Sequence, residues 1–189
     1  MRISDTALPE IKLLQPARHK DDRGWFMESW NRKALAAHGI TADFVQDNVA
    51  LSNAKGTVRG LHFQLPPHAQ GKLVRAAQGA IFDVAVDVRR GSPRYGRHAS
   101  ATLTAEGGEM LWVPAGFAHG YCTLTDRAEV AYKVTDYYAP SAERGIRWND
   151  AVLAISWPVT ERDAVVGERD AALPAFQNLA ETFVYGASS

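Results

Sequence analysis

Short apolar or alternating runs recur along this chain, and Gly, Pro, Asn or Asp closes each one before it is long enough to form a helix face. "FVQDNVALS", "KLVRAAQG", "AIFDVAVDVRRGSP", "HASATLTAEGG", "EMLWVPAGFAHG" and "AEVAYKVTDYYAP" all share the pattern. Many short strands with turn signals between them close into a sandwich or barrel. The alternation is plainest in "AIFDVAVDV", where Ile81, Asp83, Ala85 and Asp87 interleave with Phe82, Val84, Val86 and Val88; period two predicts that the second set is buried. Only "NRKALAAHG" reads convincingly as a helix, with Asn31 as its cap and Gly39 as its stop, and a second short helix is predicted in "AFQNLAETF". No repeat, low-complexity tract or linker interrupts residues 1–189, so the expectation is a single all-β domain with short helical additions.

Composition narrows the partners. Twenty-one basic residues balance 21 acidic ones, so no overall basic field points to nucleic acid or a membrane surface, although a local anion site fits the same balance. The single Cys122 excludes an intramolecular disulfide and any Cys-rich zinc motif, in keeping with a reducing compartment. "MRISDTALPEIKLLQPARHKDDRG" lacks the continuous apolar stretch of a signal peptide. No segment approaches the roughly 18 consecutive apolar residues of a membrane span. Cytoplasmic localisation is the expectation.

Two histidines carry the functional question. In "VRGLHFQ" strict alternation puts Gly60, His62 and Gln64 on one strand face and Arg59, Leu61 and Phe63 on the other. Downstream, Gly108, Pro114-x-Gly116 and His119 in "GEMLWVPAGFAHG" resemble the second motif of the cupin superfamily, a jelly-roll β-barrel. The first cupin motif would supply His-x-His and an acid. Here Gln64 stands in the second histidine's place, and zinc or iron usually needs three or more ligands, so no metal is expected.

Longer blocks resemble one family more closely. "DDRGWFMESW", "FVQDNVALSNAKGTVRGLHFQ", "QGKLVRAAQGAIFDVAVDVRRGSPRYG", "LWVPAGFAHGYCTL", "AYKVTDYYAPSAERGIRWND" and "ISWP" are similar, in order, to the dTDP-4-dehydrorhamnose 3,5-epimerase family. The resemblance implies a cofactor-independent isomerase acting on a dTDP-4-keto-6-deoxy sugar. Protons at C3 and C5 are acidic there because either carbanion delocalises into the C4 carbonyl. Such chemistry needs a base, an acid on the opposite face and groups that stabilise an enolate.

The resemblance assigns the base to His62, its carboxylate partner to Asp170 in "GERDAALP", the proton donor to Tyr132 and enolate stabilisation to Lys72. It places Arg23, Phe26, Glu28, Gln46, Asp47, Asn48, Arg59, His119, Tyr138, Glu143 and Arg169 at substrate contacts. Arg23 and Arg59 suit a diphosphate, Phe26 and Tyr138 a base stack. Arg169 departs from the lysine common at that position. The resemblance also implies a homodimer whose N-terminal segment contributes to the partner's site, and a product that a downstream reductase converts to an L-rhamnose donor for surface polysaccharide. His19, His38, His68 and His98 read as surface or structural residues, and "RRGSPRYGR" as a solvated hairpin loop. Epimerisation of C3 or C5 alone, a metal-dependent cupin and a sugar-binding cupin are the alternatives.

Overall fold

The structure, a computed structural model, describes residues 1–186. In chain order the strands are β1 (Arg2–Asp5), β2 (Lys12–Gln15), β3 (Arg18–Asp21), β4 (Gly24–Met27), β5 (Gln46–Ser52), β6 (Thr57–Gln64), β7 (Lys72–Gln78), β8 (Ala80–Asp87), β9 (Arg89–Arg90), β10 (His98–Thr104), β11 (Met110–Val113), β12 (Phe117–Thr123), β13 (Ala128–Val134), β14 (Glu143–Gly145), β15 (Val165–Val166) and β16 (Phe183–Val184). Two short helices, α1 (Arg32–Ala36) and α2 (Glu168–Ala171), interrupt them. One sheet runs β1-β2-β11-β7-β13-β5 and the other β10-β8-β12-β6-β14, with β15 added parallel to β6. This is the expected all-β, cupin-like jelly roll with minor helices.

The sheets face each other across a core that includes Val74, Leu111 and Val130 from one, and Ile81, Ala85 and Phe117 from the other. The backs of both sheets are also partly covered. Leu14, Leu73 and Met110 pack outward against Leu35 of α1 and Ile40. On the other sheet, Leu61, Phe63, Val84, Val86 and Val88 pack under Leu153, Phe176, Leu179 and Phe183 of the C-terminal segment. The one-sided burial predicted for β8 is therefore corrected. Ile81, Asp83, Ala85 and Asp87 are as inaccessible as Val84, Val86 and Val88, because β8 lies inside a sheet covered on both faces.

Asn31 caps α1 as expected, its Oδ1 accepting the Ala34 N–H at 3.1 Å. Past the helix, Gly39 takes φ +80° while the Ile40 N–H returns to the Leu35 carbonyl, a closure that favours glycine. The predicted helix in "AFQNLAETF" is only a 3₁₀ turn at Phe176–Asn178, held by packing of Phe176 and Leu179. The sequence reading missed α2.

β6 departs from strict alternation. Against β12, His119 pairs with His62 and Tyr121 with Arg59, so three steps on β6 match two on β12. The extra residue reverses the parity: Arg59 and His62 line the same cavity, while Leu61 and Phe63 enter the covered outer core. Gly60 sits in this bulge at φ +114°, where a Cβ would lie 2.6 Å from Gly120 Cα and 2.7 Å from the His119 carbonyl oxygen.

Candidate active site

The interior between the sheets opens into two adjoining lobes of about 360 and 520 Å³ that share His62, Lys72, Tyr132 and Arg169. His62 projects from β6 in one sheet and Tyr132 from β13 in the other, so the two line the cavity from facing walls. His62 Nε2 lies 2.7 Å from Asp170 Oδ1, and Asp170 Oδ2 accepts the Gly60 N–H at 2.9 Å. Burial pushes the Asp170 carboxyl upward, but the hydrogen bond and charge of His62, the Gly60 N–H and Arg169 together hold it below the usual range. An ionised carboxylate only accepts. Nε2 therefore directs a ring proton at Asp170, which leaves Nδ1 as the nitrogen that can serve as a base.

Lys72 is buried and donates to the His62 carbonyl at 3.2 Å. Burial draws its pKa down to about 8 against the attraction of Glu143 and Asp83, leaving a cation at neutral pH. The Tyr132 hydroxyl is pushed upward by burial, with Arg59 opposing and Glu143 reinforcing, so it remains protonated and able to give a proton. Arg59 is anchored by Ser52 Oγ and the Leu51 carbonyl, each at 3.2 Å.

At the rim, Glu143 Oε2 accepts from the Tyr138 hydroxyl at 2.7 Å and from Arg169. Burial raises the Glu143 carboxyl, but these two donors and the nearby His62 outweigh it and hold the group below its ordinary range. Gln46 and Asn48 point the same way, joined by a hydrogen bond of 2.9 Å, and Gln46 also accepts the Tyr138 N–H. Gln64 answers the missing-ligand question. Its amide donates to the His68 and Tyr137 carbonyls and accepts the Ala139 N–H, so it pins the rim loop.

His62 and His119 are register partners, yet each ring is committed to its own acid: His119 Nε2 lies 2.5 Å from Asp83 Oδ1. Among the described residues no group of three or more His, Cys, Asp or Glu converges on a metal-sized point. The residues present do not fit the cupin metal. Asp83 was missed because it was read as one member of an alternating exposed set; the available signal was an acid inside an apolar strand. Tyr121, which also lines the larger lobe, was passed over although it stands two residues after His119 in the "LWVPAGFAHGYCTL" block.

Four residues expected at the substrate are not brought into this cavity. Asp47 takes the outer face of β5, opposite Gln46 and Asn48, and pairs with Lys133 at 2.8 Å. Arg23, whose side chain is 90 % exposed, pairs with Asp21 in the β3–β4 hairpin. Phe26 in that hairpin is 69 % exposed, and Glu28 accepts from Asn31.

A histidine–carboxylate pair facing a tyrosine across a jelly-roll cavity, with a buried lysine in the same lining, is an arrangement suited to acid–base isomerisation. The model of the dTDP-4-dehydrorhamnose 3,5-epimerase family matches residues 5–178. A Sinorhizobium fredii protein of that description is 48% identical over 189 residues, covering 98% of this chain and 94% of the relative. A Bacillus anthracis dTDP-4-dehydrorhamnose 3,5-epimerase structure with TDP and PPi bound superposes with a TM-score of 0.89 at 46% identity, covering 92% of this chain and 98% of that one. The Legionella pneumophila dTDP-6-deoxy-D-glucose-3,5-epimerase, in complex with dTDP-4-keto-L-rhamnose, gives 0.92 at 42% identity, covering 98% and 99%. This chain belongs to the dTDP-4-dehydrorhamnose 3,5-epimerase family.

Proposed function

We propose that this enzyme converts dTDP-4-dehydro-6-deoxy-D-glucose to dTDP-4-dehydro-L-rhamnose by inverting C5 and C3 in turn. His62 Nδ1 takes the proton, and the electron pair of the broken C–H bond moves into the C4 carbonyl. Lys72 holds the enolate oxygen, and His119 lines the wall beside it. Tyr132 returns a proton to the opposite face, and solvent resets His62 and Tyr132 before the second inversion. Asp170 stabilises the imidazolium formed in the first half of each step. Arg59 and Arg169 receive the diphosphate, and Gln46, Asn48, Tyr138 and Glu143 the remainder of the nucleotide sugar. The observation that carries this reading is the placement of the His62–Asp170 pair and Tyr132 on facing walls of one cavity.

The same reading makes the protein a cytoplasmic homodimer. Arg23, Phe26 and Glu28 stand outside their own chain's cavity, and a partner's cavity is the destination proposed for them. Exposed Val49 and Leu51 on the outer face of β5, together with Trp25, supply apolar surface for the pairing. No helix is long and apolar enough to cross a membrane among the described residues.

The test is proton NMR of the substrate in D₂O, with His62→Ala as control. Loss of both the C3 and C5 signals, abolished by the substitution, is the expected result. Exchange at one carbon alone would restrict the activity to that position, and exchange at neither would overturn the proposal.

A further inference from the structure

Tyr121 and Asp83 are register partners on β12 and β8, and each carries a buried polar atom with no hydrogen bond among the described residues: the Tyr121 hydroxyl and Asp83 Oδ2. Unsatisfied buried polar atoms are uncommon and call for an explanation. Tyr121 is only 4 % exposed, yet it lines the lobe that holds His62, Lys72 and Tyr132. Ser52 lies close enough to draw the hydroxyl's pKa down slightly against burial, but makes no hydrogen bond of normal geometry to it and already accepts from Arg59. Burial holds the Tyr121 hydroxyl neutral, with a pKa of about 12, so it both donates and accepts.

That pairing capacity matches a sugar hydroxyl. A 4-keto-6-deoxy hexose is asymmetric about its carbonyl, with hydroxyls on the C2–C3 side and a methyl on the C5 side. His62 serves both carbons, so the ring must be held differently for each proton removal. A hydroxyl partner in the floor favours the pose that presents C3.

We propose that Tyr121 is a specificity-determining residue that hydrogen-bonds a hydroxyl on the C2–C3 side of the substrate and so favours inversion at C3. The inference rests on the epimerase reading above. It is tested by comparing C3 and C5 deuterium exchange in wild type and Tyr121→Phe, with thermal unfolding of both proteins. Expected is a fall in C3 exchange of about fivefold or more relative to C5, the size that loss of one net hydrogen bond gives. The unfolding midpoint should be unchanged or higher, because a hydroxyl without a partner in the fold contributes nothing to holding it together. An unchanged C3-to-C5 ratio overturns the inference alone, and so does a lowered midpoint with both exchanges slowed equally, which assigns the hydroxyl to the fold. If wild type exchanges neither proton, the epimerase reading itself falls and this inference with it.

Discussion

Asp170 accepts the backbone N–H of Gly60 with one carboxylate oxygen while the other holds His62. The carboxylate proposed to orient the base thus also ties down the bulge beside His62. Asp170→Asn disturbs both contacts, because an amide offers one acceptor and one donor where two acceptors are used. The expected loss is about 10²-fold or more in kcat, within the range for a positioned acid–base group. Steady-state kinetics, with circular dichroism to confirm folding, checks it; near-wild-type turnover would remove Asp170 from the mechanism.

Gly60→Ala should cost stability first. Its Cβ would collide with the backbone of Gly120 and His119 at a backbone angle that L-residues rarely adopt. Backbone obstacles cannot rotate away, so a destabilisation of roughly 3 kcal/mol or more is expected, at the upper end for point substitutions. Urea denaturation measures it.

For Lys72 the pH dependences of activity and stability run in opposite directions. Its ammonium is lost as pH rises through about 8, so enolate stabilisation and kcat should decline on that limb. Between about 8 and the unfolded value of 10.5 the unfolded chain binds more protons at this group, so its contribution to folding stability rises with pH. Lys72→Met should lower kcat, abolish that alkaline limb and unfold at the same or a higher temperature, because a buried charge has been replaced by an apolar chain of similar length. A pH–rate profile with a parallel melting series decides the point.

The proposed dimer predicts that Arg23 acts on a cavity other than its own. Arg23→Ala should raise KM about tenfold, the scale of one lost charge-assisted hydrogen bond, with little change in kcat. At substrate well below KM, mixing Arg23→Ala with His62→Ala chains should raise activity above either variant alone, since one site of each mixed dimer is intact. Absence of that complementation, or a monomer near 20.7 kDa by light scattering, would contradict the exchange.

The strand pattern and the motif blocks made the architecture legible, because period two and turn residues act locally. His62, Tyr132, Lys72, His119 and Glu143 were legible through the same blocks, and the cavity gathers them. Arg59 was assigned to the wrong face because alternation counts residues on one strand, whereas the bulge is set by the partner strand. Asp47 was included with its neighbours Gln46 and Asn48, although alternation alone turns it to the outer face. Asp83 and Tyr121 escaped because their importance lies in buried hydrogen-bond accounting, which exists only after the sheets meet. Val84 and Val86 were expected to be buried and are, under the C-terminal segment; the burial of Ile81 and Ala85 escaped because their cover is the other sheet.

The miscounted step in β6 makes this reaction centre sensitive to length as well as to composition. An in-frame deletion of the Gly60 codon would heal the register against β12 and leave Arg59 and His62 on one face, yet it would remove the backbone N–H that Asp170 accepts while the catalytic side chains all remained encoded. Gradual exchange of residues can retune such a site, but changing the residue count of this one strand cuts the backbone tie of the carboxylate that holds His62.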